Sequence, residues 1–235
     1  MRILKAIAVL MDYPDASVQD NADEIVGVIA AEPRLDGPTR RALIELVQSI
    51  QYGDLFEVQA DYVGLFDRSR SLSLHLFEHV HGESRDRGQA MVQLQEIYRD
   101  QGLELAANEL PDYVPLLLEF CSRLDGEEIQ GWLEEMGHLL QLLQGRLAER
   151  ESQYQWLFKA LLELGHMETA DEQLRRQLAE EERDDTPEKL DEVWAEEPVT
   201  FGPSDTGCGG AKTNQGQAVP VDWSALKRSG AKQQE

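Results

Sequence analysis

Basic residues are scarce in this chain of 235 residues: 22 Lys and Arg stand against 45 Asp and Glu, a formal net charge of −23 at pH 7. A phosphate backbone is held mainly by Lys and Arg that displace its counterions, so nucleic acid is excluded as a partner and basic segments are favoured. Cysteine is nearly absent, with Cys121 and Cys208 alone. The two cannot build a disulfide scaffold and do not share the close spacing of a metal-binding pair; a reducing, cytoplasmic setting fits them best. Long apolar runs are missing too. No stretch approaches the roughly 18 residues of a membrane span. The unbroken run Ala6 to Met11 is only six residues long and meets Asp12 at once, which argues against a cleaved signal peptide and against direct membrane insertion. Neither G-x-x-x-x-G-K-[ST] nor G-x-G-x-x-G occurs, so no phosphate-cradling loop is indicated.

What is present is helical periodicity, while strand-like alternation is nowhere sustained. Ile3, Ile7, Leu10 and Met11 mark a first amphipathic helix that Tyr13-Pro14 ends. The breaker Asp36-Gly37-Pro38 opens another helix, with Leu43, Leu46, Val47 and Ile50 on one face. After Gly53, Asp54 offers a cap to a helix on which Leu55, Val58, Tyr62 and Leu65 form one apolar line with Phe56, Val63 and Phe66 close beside it, a stripe broad enough to predict burial between neighbours. Further stripes run through Met91 to Tyr98, closed by Gly102; Val114 to Leu124; Ile129 to Leu147; and Tyr154 to Leu164. Seven to ten helices with short connectors predict an all-α fold in a single compact multi-helix domain over residues 1–167. Residues 168–200 form an acidic helical segment packed on or flanking this core, and residues 201–235, rich in Gly, Ser, Lys and Gln, are expected to be a disordered tail.

Residues 61–100 differ from the rest of the chain. Acidic and basic side chains nearly balance there, and three of the five histidines, His75, His79 and His81, fall within seven residues. His75-Leu76-Phe77-Glu78-His79 matches the H-x-x-E-H spacing of a zinc hydrolase, because two histidines at i and i+4 share one helical face with a Glu beside them. Partly buried, hydrogen-bonded histidines are the commoner outcome of such a pattern. Cys121 lies on an apolar stripe, as a small buried hydrophobe rather than a reactive thiolate. The residues thus indicate no catalytic group, bound metal or cofactor.

Two stretches carry a family resemblance: Tyr62-Val63-Gly64-Leu65-Phe66-Asp67-Arg68, and the long run Leu76-Phe77-Glu78-His79-Val80-His81-Gly82-Glu83-Ser84-Arg85-Asp86-Arg87-Gly88-Gln89-Ala90-Met91. With Glu109-Leu110-Pro111-Asp112-Tyr113 and Arg183-Asp184-Asp185-Thr186-Pro187, the chain resembles the NarJ-type assembly chaperones of respiratory nitrate reductase, within the wider TorD/DmsD group of redox-enzyme maturation proteins. Tyr113 stands where that wider group often has His. The resemblance implies a cytoplasmic, non-catalytic, all-α chaperone. Its partner would be the apo catalytic (alpha) subunit of nitrate reductase, bound through its basic N-terminal segment and kept competent for molybdenum cofactor insertion and membrane assembly. Molybdenum cofactor biosynthesis proteins are implied as further partners, and the chaperone is absent from the finished enzyme. A different molybdoenzyme client, or the zinc hydrolase, is the alternative.

A basic amphipathic client needs an apolar groove for its i, i+3, i+4 anchors and carboxylates for its cations. On the motifs above, the expected client-binding residues are Tyr62, Leu65, Phe66, Phe77, Tyr113 and Leu117 for the groove, with Glu78, Glu83, Asp86 and Asp112 for the cations. Arg85 and Arg87 complete the charged run, and His79 and His81 would make release sensitive to pH.

Overall fold

The structure, a computed structural model, describes residues 1–81, 86–105, 109–186, 188, 189 and 191. The expected tail, 201–235, with Cys208, lies outside the described residues, as do Glu83, Arg85 and the end of the acidic segment. Eleven α-helices occur among the described residues. The first half of the chain supplies α1 (Arg2–Met11), α2 (Ala16–Asp20), α3 (Ala22–Ala31), α4 (Gly37–Tyr52) and α5 (Leu55–Tyr62). After a π turn at Val63–Asp67 and a 3-10 turn at Arg70–Leu72 come α6 (Leu76–His81), α7 (Asp86–Asp100) and α8 (Val114–Cys121). The long α9 (Gly126–Glu149), α10 (Gln155–Leu164) and α11 (Glu172–Ala179) follow. The all-α expectation holds, and the lone extended contact among the described residues is an antiparallel bridge between His75 and Tyr113.

Part of the acidic surplus is consumed in starting helices. Asp15, Asp36, Asp54, Asp125 and Asp171 each accept hydrogen bonds from backbone N–H groups in the first turns of α2, α4, α5, α9 and α11. A cap of this kind stabilises by about 1 kcal/mol, because it satisfies a donor that has no partner within the helix. Asp125 and Glu128 form a reciprocal capping box at α9. At the other end of α7, Gly102 takes φ 73°, the left-handed conformation that lets the chain leave the helix without a Cβ clash.

The core is built around α9, which packs along α10, while α1 lies against α8 and α3. Leu4, Ile7, Leu43, Leu117, Leu118, Leu140, Leu143, Phe158 and Leu161 are all fully buried. Burying each such side chain contributes about 2 kcal/mol before its ordering entropy is subtracted. The N-terminal ammonium donates to the carbonyl of Ser122, which ties α1 to the end of α8. Small residues on α9 admit the returning chain: a Cβ at Gly145 would lie 2.3 Å from Leu178 Cδ1, and one at Gly137 would lie 2.4 Å from Met167 Sδ. Leu178 of α11 and Ala170 before it are thereby buried on the bundle.

One expectation is corrected. The α5 stripe is not sandwiched between neighbours, since Phe56 is 81 % exposed and Tyr62 is the one buried residue of that helix. The wider π turn that follows alters the helical phase. It turns Phe66 inward and leaves Leu65 half-buried, so the buried aromatic line begins at Tyr62 instead of Phe56.

Candidate client-binding site

An open groove of about 580 Å³ lies between α1, α8 and the segment joining α7 to α8. Its floor is apolar, from Ala8 and Val9 of α1, Leu103 and Leu105 after α7, and Leu116 and Phe120 of α8. Val9 is 44 % exposed, an uncovered apolar side chain on a helix whose other large apolar residues are buried. Asp12, Glu104, Glu109 and Glu119 stand around the floor, against two cations, Lys5 and Arg123. Arg123 is paired with Glu119 at 3.3 Å. An apolar floor with an acidic surplus at its edge matches an amphipathic peptide carrying positive charge.

One end of the groove is closed by Tyr113, which links it to the family motifs. The Tyr113 hydroxyl donates to Asp12 Oδ1 at 2.9 Å and lies 3.5 Å from the Tyr62 hydroxyl, which donates to the Met11 carbonyl at 2.8 Å. Burial pushes the pKa of both phenols upward, so both remain protonated donors. The Tyr62 ring meets those of Tyr13 and Tyr154 edge-on and that of Phe66 at a tilt, with centroids 5.7, 6.1 and 4.9 Å away. On its other side the Tyr113 ring lies 5.3 Å from the His75 imidazole, so the groove adjoins the entrance to α6.

That entrance is organised by Asp112, whose side chain is fully buried. One carboxylate oxygen accepts from the Phe77 N–H at 3.0 Å, and the other lies 3.4 Å from His75 Nδ1. The Asp112 carbonyl accepts from the Leu76 N–H at 3.1 Å, and the Tyr98 hydroxyl donates to the Pro111 carbonyl at 2.8 Å. Asp112 therefore caps α6 from a distant segment and fixes the Pro-Asp-Tyr loop beside the groove. Its hydrogen bond holds the His75 pKa above the usual imidazole value, whereas burial pushes that of His79 below it.

The sequence-derived site residues divide into three sets. Tyr113 lines the groove, and Leu65, Glu78, Arg87 and the two histidines are partly exposed, with Glu78 and Arg87 paired at 3.2 Å. Phe66, Phe77 and Leu117 are core side chains, 6 %, 1 % and 0 % exposed, and Tyr62 and Asp112 are buried with their polar atoms committed. These five are buried in the structure, four of them expected as groove wall and Asp112 as a partner for cations: the periodicity that marks an apolar face does not say whether another helix already covers it. Asp86 is exposed at the start of α7, and the Phe77 ring meets the His81 ring edge-on at 5.4 Å.

The zinc arrangement is not assembled. α6 begins after His75, which removes the shared helical face. His79 Nε2 donates to the Ser73 carbonyl at 2.8 Å, and among the described residues no three His, Cys, Asp or Glu side chains converge on a metal position. Cys121 is fully buried, and burial pushes its thiol pKa upward, away from reactivity.

A second polar centre escaped the sequence reading. Arg150, at the end of α9, has a side chain only 6 % exposed and donates to Ser69 Oγ, Ser71 Oγ and Asp184 Oδ1 at 3.1, 3.2 and 3.0 Å. Asp184 also accepts from the Ser71 N–H at 2.7 Å and from the Ser69 hydroxyl at 2.7 Å. Burial alone would raise the Asp184 pKa, but these donors together hold it below the usual carboxylate value. Arg146 grips Glu181 with two bonds of 2.8 and 2.7 Å and donates to the Ser71 carbonyl at 2.8 Å. The Arg183-Asp184-Asp185 sequence was the available signal, but the buried partner of both aspartates, Arg150, lies more than thirty residues away at the end of α9.

The described residues thus define a helical protein with an open, acid-edged apolar groove. A family model described as "Nitrate reductase delta subunit" matches residues 32–160. The "Nitrate reductase molybdenum cofactor assembly chaperone NarJ" of Escherichia coli (strain K12) is 44 % identical over 206 residues, covering 88 % of this chain and 87 % of the relative. The "Probable nitrate reductase molybdenum cofactor assembly chaperone NarW" of the same strain is 42 % identical over 218 residues, 92 % of this chain and 91 % of the relative. A similarly titled "Probable" NarJ from Bacillus subtilis (strain 168) is 28 % identical over 170 residues, 67 % of this chain and 84 % of that protein. The chain belongs to this family of NarJ-type nitrate reductase assembly chaperones, a family of chaperones and not of enzymes.

Proposed function

We propose that the chain is the dedicated maturation chaperone of a respiratory nitrate reductase, and that it binds the basic N-terminal segment of the apo catalytic subunit in the groove between α1 and α8. The observation that carries this reading is an apolar floor left open between α1 and α8, edged by Asp12, Glu104, Glu109 and Glu119. Apolar anchors of a client helix settle on Val9, Leu103 and Leu116 while its cations meet the carboxylates. Holding that segment keeps the subunit competent to receive its molybdenum cofactor, which is cargo of the client, and delays membrane assembly until loading is complete. Molybdenum cofactor biosynthesis proteins are the expected second class of partner. The reading sets this action in the cytoplasm; among the described residues no helix is long and apolar enough to cross a membrane.

The test is calorimetric titration of a synthetic peptide of the catalytic subunit's first residues into the full chain. Reversing Glu104 and Glu119 to Lys should weaken binding at least about tenfold, since two charge-assisted contacts are lost and replaced by repulsion. Reversing Glu83 and Asp86 provides the contrast, because that pair belongs to the stretch beyond Tyr113. A peptide that responds only to the second pair would move the site to α6 and α7.

A further inference from the structure

We propose that, in the absence of client, the groove between α1 and α8 is occupied by the chain's own residues 219–228, Val-Pro-Val-Asp-Trp-Ser-Ala-Leu-Lys-Arg, acting as a built-in pseudo-client. The competitive half of this inference rests on the client reading above; the docking itself does not.

Three observations carry it. The first is chemical match. Beyond the acidic segment, Val219, Val221, Trp223 and Leu226 form a dense apolar cluster, and Lys227, Arg228 and Lys232 follow immediately. A cluster of apolar anchors next to positive charge is the pattern that the floor of Val9, Leu103 and Leu116 and the edge of Glu104, Glu109 and Glu119 complement. The second is charge asymmetry. Residues 201–235 hold four basic and three acidic residues, a balance of +1, so the preceding 200 residues carry −24. A weakly basic segment is thus tethered to a strongly acidic body, and attraction draws it back. The third is reach. Twenty-seven residues separate Asp191, the last described position, from Val219. A chain of that length spans up to about 90 Å, roughly twice the diameter of a folded body of this size. Tethering then presents the segment at a high effective concentration, so a weak match suffices to fill the groove.

The consequence is a threshold on client capture. A client peptide must displace the segment, and its apparent affinity falls by the fraction of molecules in which the groove is open. Short or poorly matched basic peptides are screened out, which protects a groove that would otherwise expose apolar surface.

The experiment places a photo-crosslinking residue, p-benzoylphenylalanine, at the exposed Val9 position of the full chain. Irradiation without client should give an intramolecular crosslink at monomer mass that maps by peptide mass spectrometry to residues 219–228. A crosslink at dimer mass, one mapped elsewhere, or none overturns the proposal. In parallel, Trp223→Ser with Leu226→Ser in the full chain should tighten binding of the synthetic client peptide about fivefold to tenfold, the gain expected if the groove is open in only a tenth to a fifth of molecules. Equal affinity of the two chains overturns the competition. If the peptide binds neither chain while the crosslink forms, the client site fails and the intramolecular docking stands.

Discussion

At the end of α9, Asp184 and Asp185 sit on a nearly buried Arg150, and Glu181 sits on Arg146. Across the molecule, Asp12, Glu104, Glu109 and Glu119 stand around an apolar floor that has only Lys5 and Arg123 as cationic neighbours. Both regions draw on the same acidic surplus, and the difference lies in what completes them. In the first, carboxylates meet guanidinium groups and serine donors supplied by the chain, and the outcome is a fixed attachment of the acidic segment to α9. In the second, carboxylates are left over beside uncovered apolar surface, and the outcome is a surface suited to a partner. Net charge alone does not separate these uses; burial of the counter-charge does.

Four experiments break or sharpen that contrast. The largest effect on stability belongs to Arg150→Ala. Removing a buried guanidinium leaves Asp184, Ser69 and Ser71 without their shared cation, and the expected loss is about 3 kcal/mol. Urea denaturation should show it, and hydrogen exchange should show α11 and residues 180–186 opening more than α1 or α8. Even protection across the bundle would show that Arg150 does not hold the acidic segment. Asp112→Ala comes next, at about 2 kcal/mol, because it removes the cap of α6 and leaves the buried Phe77 N–H without an acceptor. Asp112→Asn, which keeps an acceptor, should recover most of that loss, and failure of this rescue would locate the role of Asp112 in its charge.

The third experiment is a pH series. His75 has a raised pKa in the folded state through Asp112. Its contribution is therefore complete below the unfolded value of about 6.5 and is lost as pH rises through the higher folded value. His79 has the opposite sign. Burial lowers its pKa, so stability declines as pH falls from about 6.5 through the lower folded value. His75→Gln should abolish the loss on the alkaline side, and His79→Gln should abolish the loss on the acid side. Ring-proton NMR titrations assign the two values independently, and an unchanged stability slope in both variants would discard the scheme.

How far these features could be read from sequence follows from the range of the interactions involved. The breaker at Asp36-Gly37-Pro38, the cap at Asp54 and the closure at Gly102 are local, and each is found where expected, as are the helical stripes other than that of α5. The family motifs, too, pointed to the neighbourhood of Tyr113. Sequence could not tell an apolar face covered by another helix from one left open: Phe77 and Leu117 are covered, while Val9 on the well-packed α1 is not. Nor could it pair Arg150 with Asp184, since that contact requires α10 and α11 to fold the chain back along α9.

The smallest stability change should accompany the sharpest functional one. Val9 is nearly half exposed on the groove floor, so Val9→Glu buries no new charge and should alter stability by no more than about 0.5 kcal/mol. The same substitution places a carboxylate where an apolar anchor of the client would lie. Desolvating that charge beneath an apolar anchor is costly even with Lys5 one turn away, and peptide affinity should fall at least about tenfold. Arg150→Ala makes the converse case: a large loss of stability with client affinity per folded molecule unchanged. Measuring both quantities for both variants separates a face that holds the fold from a face that holds a client. If Val9→Glu left peptide binding intact, the open apolar floor would lose its assignment to the client, however well the acidic edge suited a basic segment.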